Sequence, residues 1–135
     1  MNYDNILIIT YGRSGSTLLQ GVVNALPGVQ VMGENSDFVF SLFQAYKGME
    51  EARNLGHWEA DNNRKHTGDQ ETLPADPWYG GELLDLDSFK STIVELVDQQ
   101  IRRGALVGGF KEIRYVNKTR AELFDYLDFL PELFP

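Results

Sequence analysis

Residues 7–20, LIITYGRSGSTLLQ, constrain the fold more than any other stretch of the chain. Residues 6–10 are β-branched and apolar on both faces, as in a parallel strand covered on both sides. A tight cluster of Gly, Arg and hydroxyl residues follows. Leu18, Leu19, Val22, Val23 and Leu26 then recur at helical spacing until Pro27-Gly28 ends the run. A buried strand joined to a helix by a short glycine-bearing loop is a βα unit, the building block of parallel sheets.

The remaining pattern extends that unit. VQVM reads as a second short strand ending at Gly33, and a second helix follows Ser36 or Asp37 with Phe38, Leu42, Tyr46 and Met49 on one face. Residues 54–84 are polar and turn-rich without a sustained period, and read as a long loop on the substrate side. Leu86, Phe89, Ile93, Leu96, Val97 and Ile101 mark a third helix, closed by Arg102-Arg103-Gly104. ALVGGFK is a third strand. Thr119 with Glu122 forms a capping box that opens a last helix bearing Leu123, Phe124, Leu127 and Leu130, interrupted by Pro131. The expected fold is α/β, a parallel sheet flanked by helices in a single domain over residues 1–135. A doubly wound fold continues from a helix to another strand, so the domain reads as incomplete at its C-terminal end. The third strand or its neighbour should then present an unpaired apolar edge through which chains associate.

Composition narrows the chemistry. The chain has no cysteine, which excludes a disulfide framework, a thiolate nucleophile and cysteine-based phosphatase chemistry. Two histidines, His57 and His66, do not suggest a histidine-rich metal site. Twelve basic against twenty acidic residues give a formal charge of −8, which disfavours duplex nucleic acid or an anionic membrane as partner. A single local anion site remains compatible with that balance, because backbone N–H groups and one arginine can hold a phosphate. No run approaches the length of a membrane span, and the expected location is the cytoplasm.

The loop at residues 10–17 departs from the common phosphate-binding signatures. Aligning Gly15-Ser16-Thr17 with the end of G-x-x-x-x-G-K-[ST] puts Ser16 in place of lysine and Thr10 in place of the first glycine. The dinucleotide pattern G-x-G-x-x-G fails too. A plain strand–helix turn, capped by Ser14 or Ser16 with Arg13 on the surface, accounts for single residues but not for the whole cluster. TYGRSGSTLLQ resembles the 5′-phosphosulfate loop of the sulfotransferases. The resemblance implies a P-loop-type three-layer α/β fold and 3′-phosphoadenosine 5′-phosphosulfate as co-substrate, with no metal. In it Gly12, Arg13, Ser14, Gly15, Ser16 and Thr17 bind the donor. The physical chemistry agrees: Gly12 and Gly15 permit close backbone approach, and the helix N-terminus offers free amides and a positive dipole. Arg13 can grip the phosphate oxygens bidentately.

Two further segments extend the resemblance. In VMGENSDF the family commonly places a Gly-Glu pair, which makes Glu34 the base that takes the acceptor's proton; equally, Glu34 suits the N-terminus of the next helix. GGFKEIRY resembles the segment carrying a functional lysine, which gives Lys111 a catalytic role on the sulfuryl group beside Arg13, with Arg114 as a candidate for acceptor binding. An ion pair among Lys111, Glu112 and Arg114 explains the same residues without chemistry. Trp78 and Tyr79 in DPWYGG can stack on a sugar or lipid acceptor or fill a small satellite core. The family's downstream 3′-phosphate site has no counterpart here. Rival readings are a divergent nucleotide kinase, which lacks its loop lysine, and a non-catalytic nucleotide- or anion-binding fragment.

Overall fold

The computed structural model describes residues 4–68 and 71–134. Among the described residues the chain is mixed α/β with three strands and four α-helices: β1 (Asn5–Ile9), α1 (Ser16–Asn24), β2 (Val29–Met32), α2 (Phe38–Thr67), α3 (Leu86–Val97), β3 (Val107–Glu112) and α4 (Arg120–Leu133). A single 3-10 turn spans Gly81–Leu83, and a π-helical turn, Asp98–Arg102, extends α3. The chain divides into two compact units, Met1–Phe43 with Ser91–Pro135, and Gln44–Lys90.

In the first unit the three strands form one parallel sheet in the order β1-β3-β2. Asn5 pairs with Gly108 and Ile9 with Glu112 on one side of β3, while Val29 pairs with Val107 and Met32 with Phe110 on the other. The third strand is therefore central, so an open edge falls not on it but on its neighbours. Among the described residues the outer strands are β1 and β2. Two glycines of β3 permit close approaches, Gly109 to β1 and Gly108 to the turn after α3. A Cβ on Gly109 would lie 1.8 Å from the Ile6 carbonyl oxygen, and one on Gly108 would lie 2.8 Å from Cγ of Arg102.

The outer edge of β2 is not bare. Asn24 donates to the Val31 carbonyl at 2.9 Å and accepts from the Val31 amide at 2.6 Å, and Gln20 donates to the same carbonyl at 3.1 Å. These amides stand in for a neighbouring strand. They also turn α1 around. Its polar residues face the sheet edge, and Leu18, Leu19, Val22 and Leu26 are exposed. The apolar spacing located the helix but not the side it buries.

The core of this unit draws on β3, the first turns of α2, the end of α3 and α4. Phe110, Ile93, Val97, Tyr126, Leu130 and Leu133 are almost fully buried. Phe40 meets Tyr126 edge-on at 5.1 Å, and Phe43 packs on Phe129 at 5.2 Å, both favoured aromatic arrangements. The Thr119–Glu122 capping box opens α4 as its sequence demands. Pro131 does not interrupt that helix, which runs on to Leu133. It lies in the last turn, where its missing N–H removes one bond and leaves nothing downstream to disrupt.

In the second unit α2 continues to Thr67, so residues 54–67 are helix and not part of the expected 54–84 loop. The segment ends with Arg64, Lys65 and His66 in its last turn, which complement the helix dipole. With little apolar surface to bury, it shows no period to read. Residues 71–85 fold back on it. A Cβ on Gly56 would fall 2.3 Å from the Glu82 amide, and Thr72 Oγ1 donates to Glu82 at 2.8 Å while accepting from the Gly80 amide at 2.8 Å. Burial opposes ionisation of Glu82, but the Thr72 hydroxyl and backbone amides outweigh it and hold the carboxyl below its ordinary value.

The β1–β3 approach makes a direct prediction. Gly109→Ala drives its methyl into the Ile6 carbonyl and should destabilise the fold by about 1–3 kcal/mol, the usual range for an overpacked core. Urea denaturation followed by circular dichroism reads this as a lower midpoint at unchanged slope.

Candidate functional site

Because β3 lies between β1 and β2, the loop after β1 and the loop after β2 flank its C-terminal end. Ligands of open parallel sheets gather at that edge. Alternation along β3 then sends Lys111 and Glu112 to opposite faces of the sheet. Lys111 turns toward α1. Glu112 shares the face of Phe110, whose ring meets Phe134 beyond α4.

The loop after β1 is shaped for an anion. Arg13 and Gly15 both have positive φ, 66° and 82°, with Ser14 between them at negative φ, an alternation that brings successive N–H groups to one side. Thr10 donates to Ser14 across the loop at 2.8 Å. Gly15, rather than Ser14 or Ser16, is the N-cap of α1, and no side chain caps the helix. The Leu18 and Leu19 amides both bond to the Gly15 carbonyl. The amides ahead of them are left for an external acceptor. Ser16 is buried, whereas Gly12, Arg13, Ser14 and Thr17 are exposed. Among the described residues the Arg13 guanidinium has no partner.

Lys111 supplies the cation that the loop sequence lacks. Its side chain is only 6% exposed, and Nζ donates to Thr17 Oγ1 at 3.1 Å and to Glu34 Oε1 at 3.2 Å. The other Glu34 oxygen lies 3.6 Å from Arg114. Thr17, Glu34, Lys111 and Arg114, each picked out from sequence, thus form one cluster. Lys111 pairs with Glu34 and not with Glu112, which corrects the local ion-pair alternative; Arg114 does approach Glu112, at 3.4 Å. Trp78 and Tyr79 belong to the second unit, where both are exposed and the Trp78 amide donates to Glu59 at 3.0 Å.

Sequence reasoning missed the group on the opposite face. The Glu112 carboxylate is 2% exposed and accepts from the Asn35 and Asp37 amides, each at 3.2 Å, through one oxygen. The other oxygen accepts from the Ile113 amide at 2.8 Å and the Arg114 amide at 3.3 Å. Burial pushes its pKa up, but these four amides outweigh burial and hold the carboxyl below the ordinary glutamate range. Nearby, Lys118 donates to Asp37 at 2.9 Å with its ammonium 3.7 Å from the Phe40 ring centroid. Burial first, and then the charges of Glu112 and Asp37, raise the pKa of Tyr115. The signal for Glu112 was present. Two consecutive charges ending a strand covered on both sides must each find a partner.

Comparisons with protein-family models, with curated proteins and with solved structures found no match. Among the described residues no helix is long and apolar enough to cross a membrane.

Glu112 gives a pH signature. Its folded pKa lies below the ordinary value of 4.5, so its bonds stabilise the fold fully above pH 4.5 and are lost as pH falls through the lower folded value. Glu112→Gln, which does not titrate, should cost about 1–3 kcal/mol at pH 7. The gap between variant and parent should narrow on acidification below pH 4.5, read from urea midpoints across the range. A gap independent of pH would remove the charge from the explanation.

Proposed function

We propose that the chain is a cytoplasmic sulfotransferase built on a P-loop-type three-layer α/β fold. It moves the sulfuryl group of 3′-phosphoadenosine 5′-phosphosulfate to the hydroxyl of a sugar, glycolipid or small alcohol. One observation carries the reading: Lys111 Nζ bridges Thr17, in the first turn of α1 after the anion-shaped loop, and Glu34 after β2. A buried cation at the end of the central strand thus joins the donor loop to the only carboxylate singled out as a base. The net charge of −8 favours a neutral acceptor over an already sulfated polymer.

In the proposed reaction the acceptor oxygen attacks sulfur while its proton passes to the Glu34 carboxylate. The bond between sulfur and the 5′-phosphate oxygen breaks, and its electron pair leaves on that oxygen as 3′-phosphoadenosine 5′-phosphate. The first-turn amides of α1 and the unpartnered Arg13 take up the charge on the leaving phosphate. Lys111 faces the transferring group from the strand end, where burial strengthens its effect. Arg114, half-exposed beside Glu34, orients the acceptor.

Calorimetry with 3′-phosphoadenosine 5′-phosphate and with Mg-ATP tests the donor site. The adenosine bisphosphate should bind and Mg-ATP should not; the reverse preference would make the site that of a kinase. Arg13→Ala should weaken nucleotide binding by about 1.5–3 kcal/mol without unfolding the chain, because the side chain lies on an exposed loop. With labelled donor and a panel of alcohols and sugars, Glu34→Gln should lower turnover by roughly 10²–10⁴ while nucleotide affinity is retained. Near-normal turnover in that variant would place the base elsewhere.

A further inference from the structure

The turn that carries Glu34 into the cluster is held in an unfavourable backbone shape. Ser36 and Asp37 are consecutive non-glycine residues at positive φ, 57° and 64°. Side chains disfavour that region, and two such residues in succession persist only where the surroundings impose them. The imposing group is identifiable. One Glu112 oxygen accepts from the amides on either side of Ser36, those of Asn35 and Asp37. Lys118 fastens the Asp37 side chain as well.

The same carboxylate reaches Glu34 by a second route. Its other oxygen lies 3.4 Å from Arg114 Nη1, and Arg114 Nη2 lies 3.6 Å from Glu34. Glu112 is too buried to touch an acceptor, so whatever it contributes to chemistry passes through these neighbours. We infer that Glu112 is a positioning residue for Glu34. It clamps the left-handed turn at 35–37 and the Arg114 guanidinium, so that Glu34 meets Lys111 at the donor loop. This rests on the reading of Glu34 as the base. It adds that adjacent residues of β3 aim that base from opposite faces of the sheet, Lys111 by direct contact and Glu112 through the turn.

The test uses the full chain with Glu112→Gln, Ser36→Gly and the double variant. Glycine accepts positive φ without strain, so Ser36→Gly lowers the turn's dependence on the clamp. Three readouts are taken on each variant: the carboxyl-carbon resonance of Glu34, nucleotide affinity, and kcat with KM. Glu112→Gln should shift the Glu34 resonance and speed hydrogen exchange at the Asn35 and Asp37 amides. It should lower kcat roughly 10- to 100-fold, the scale of an ångström-sized misplacement, with nucleotide affinity unchanged within about twofold. Adding Ser36→Gly should recover part of that loss, which a merely structural role would not do. If Glu112→Gln alone does not unfold cooperatively, the double variant is compared with Ser36→Gly, and the same shift and loss are expected. An unmoved Glu34 resonance in a folded variant overturns the inference, even where the sulfotransferase reading stands. A shifted resonance supports the positioning role even where Glu34→Gln has shown that Glu34 is not the base.

Discussion

A strand buried on both faces has no water for its charges, yet the central strand of this sheet ends in Lys111 and Glu112. Everything at the candidate site follows from how those two charges are compensated. Alternation sends them to opposite faces, and each draws the nearest loop to itself. The ammonium takes Thr17 and Glu34, and the carboxylate takes four backbone amides and Arg114. Since the partners sit in the first turn of α1 and on the loops after β2 and β3, neutralising the strand end gathers three segments at the edge where open parallel sheets bind ligands. Leaving either charge without its partners would cost far more than one lost surface contact.

The insertion of β3 between its neighbours is what lets one strand end serve both loops. Gly109 makes this possible, because any side chain there would displace the Ile6 backbone, while Gly108 lets the turn carrying Arg102 come close. Glycine weakens an isolated strand, so two in succession at its centre make sense where backbones must come close. The same economy appears at the edge of β2, where Asn24 occupies both hydrogen-bonding groups of Val31. A helix side chain there closes an edge that would otherwise offer its amides to another chain.

Much of this was legible in the sequence, and the parts that were not share a cause. The three strands, four helices and capping box were readable because each is set by residues near one another in the chain. So was the convergence of Thr17, Glu34, Lys111 and Arg114 in one cluster, since the segments that follow the strands of a parallel sheet meet at one edge. Strand order was not readable, because it depends on contacts about a hundred residues apart, such as Ile6 with Gly109. The orientation of α1 was hidden for the same reason. Its apolar residues promised a buried face, and the Val31 edge drew the opposite one. Residues 54–67 were hidden differently, because this helix meets residues 71–85 through Gly56 and Asn63, which leave no apolar period to read.

The loop carries no lysine of its own, and the nearest ammonium comes from β3. A lysine within a phosphate loop is solvated until its anion binds. Lys111 is buried, so it needs a resident counter-charge, and Glu34 provides it. Glu34 therefore has two roles under the proposed function: as the counter-charge of the buried Lys111, and as the group that takes a proton when the acceptor reacts. An anion seated on the first turn of α1 would compete with Glu34 for the same ammonium. That competition would loosen the carboxylate at the stage when it is needed as a base, while Arg114 and the turn clamped by Glu112 keep it in place.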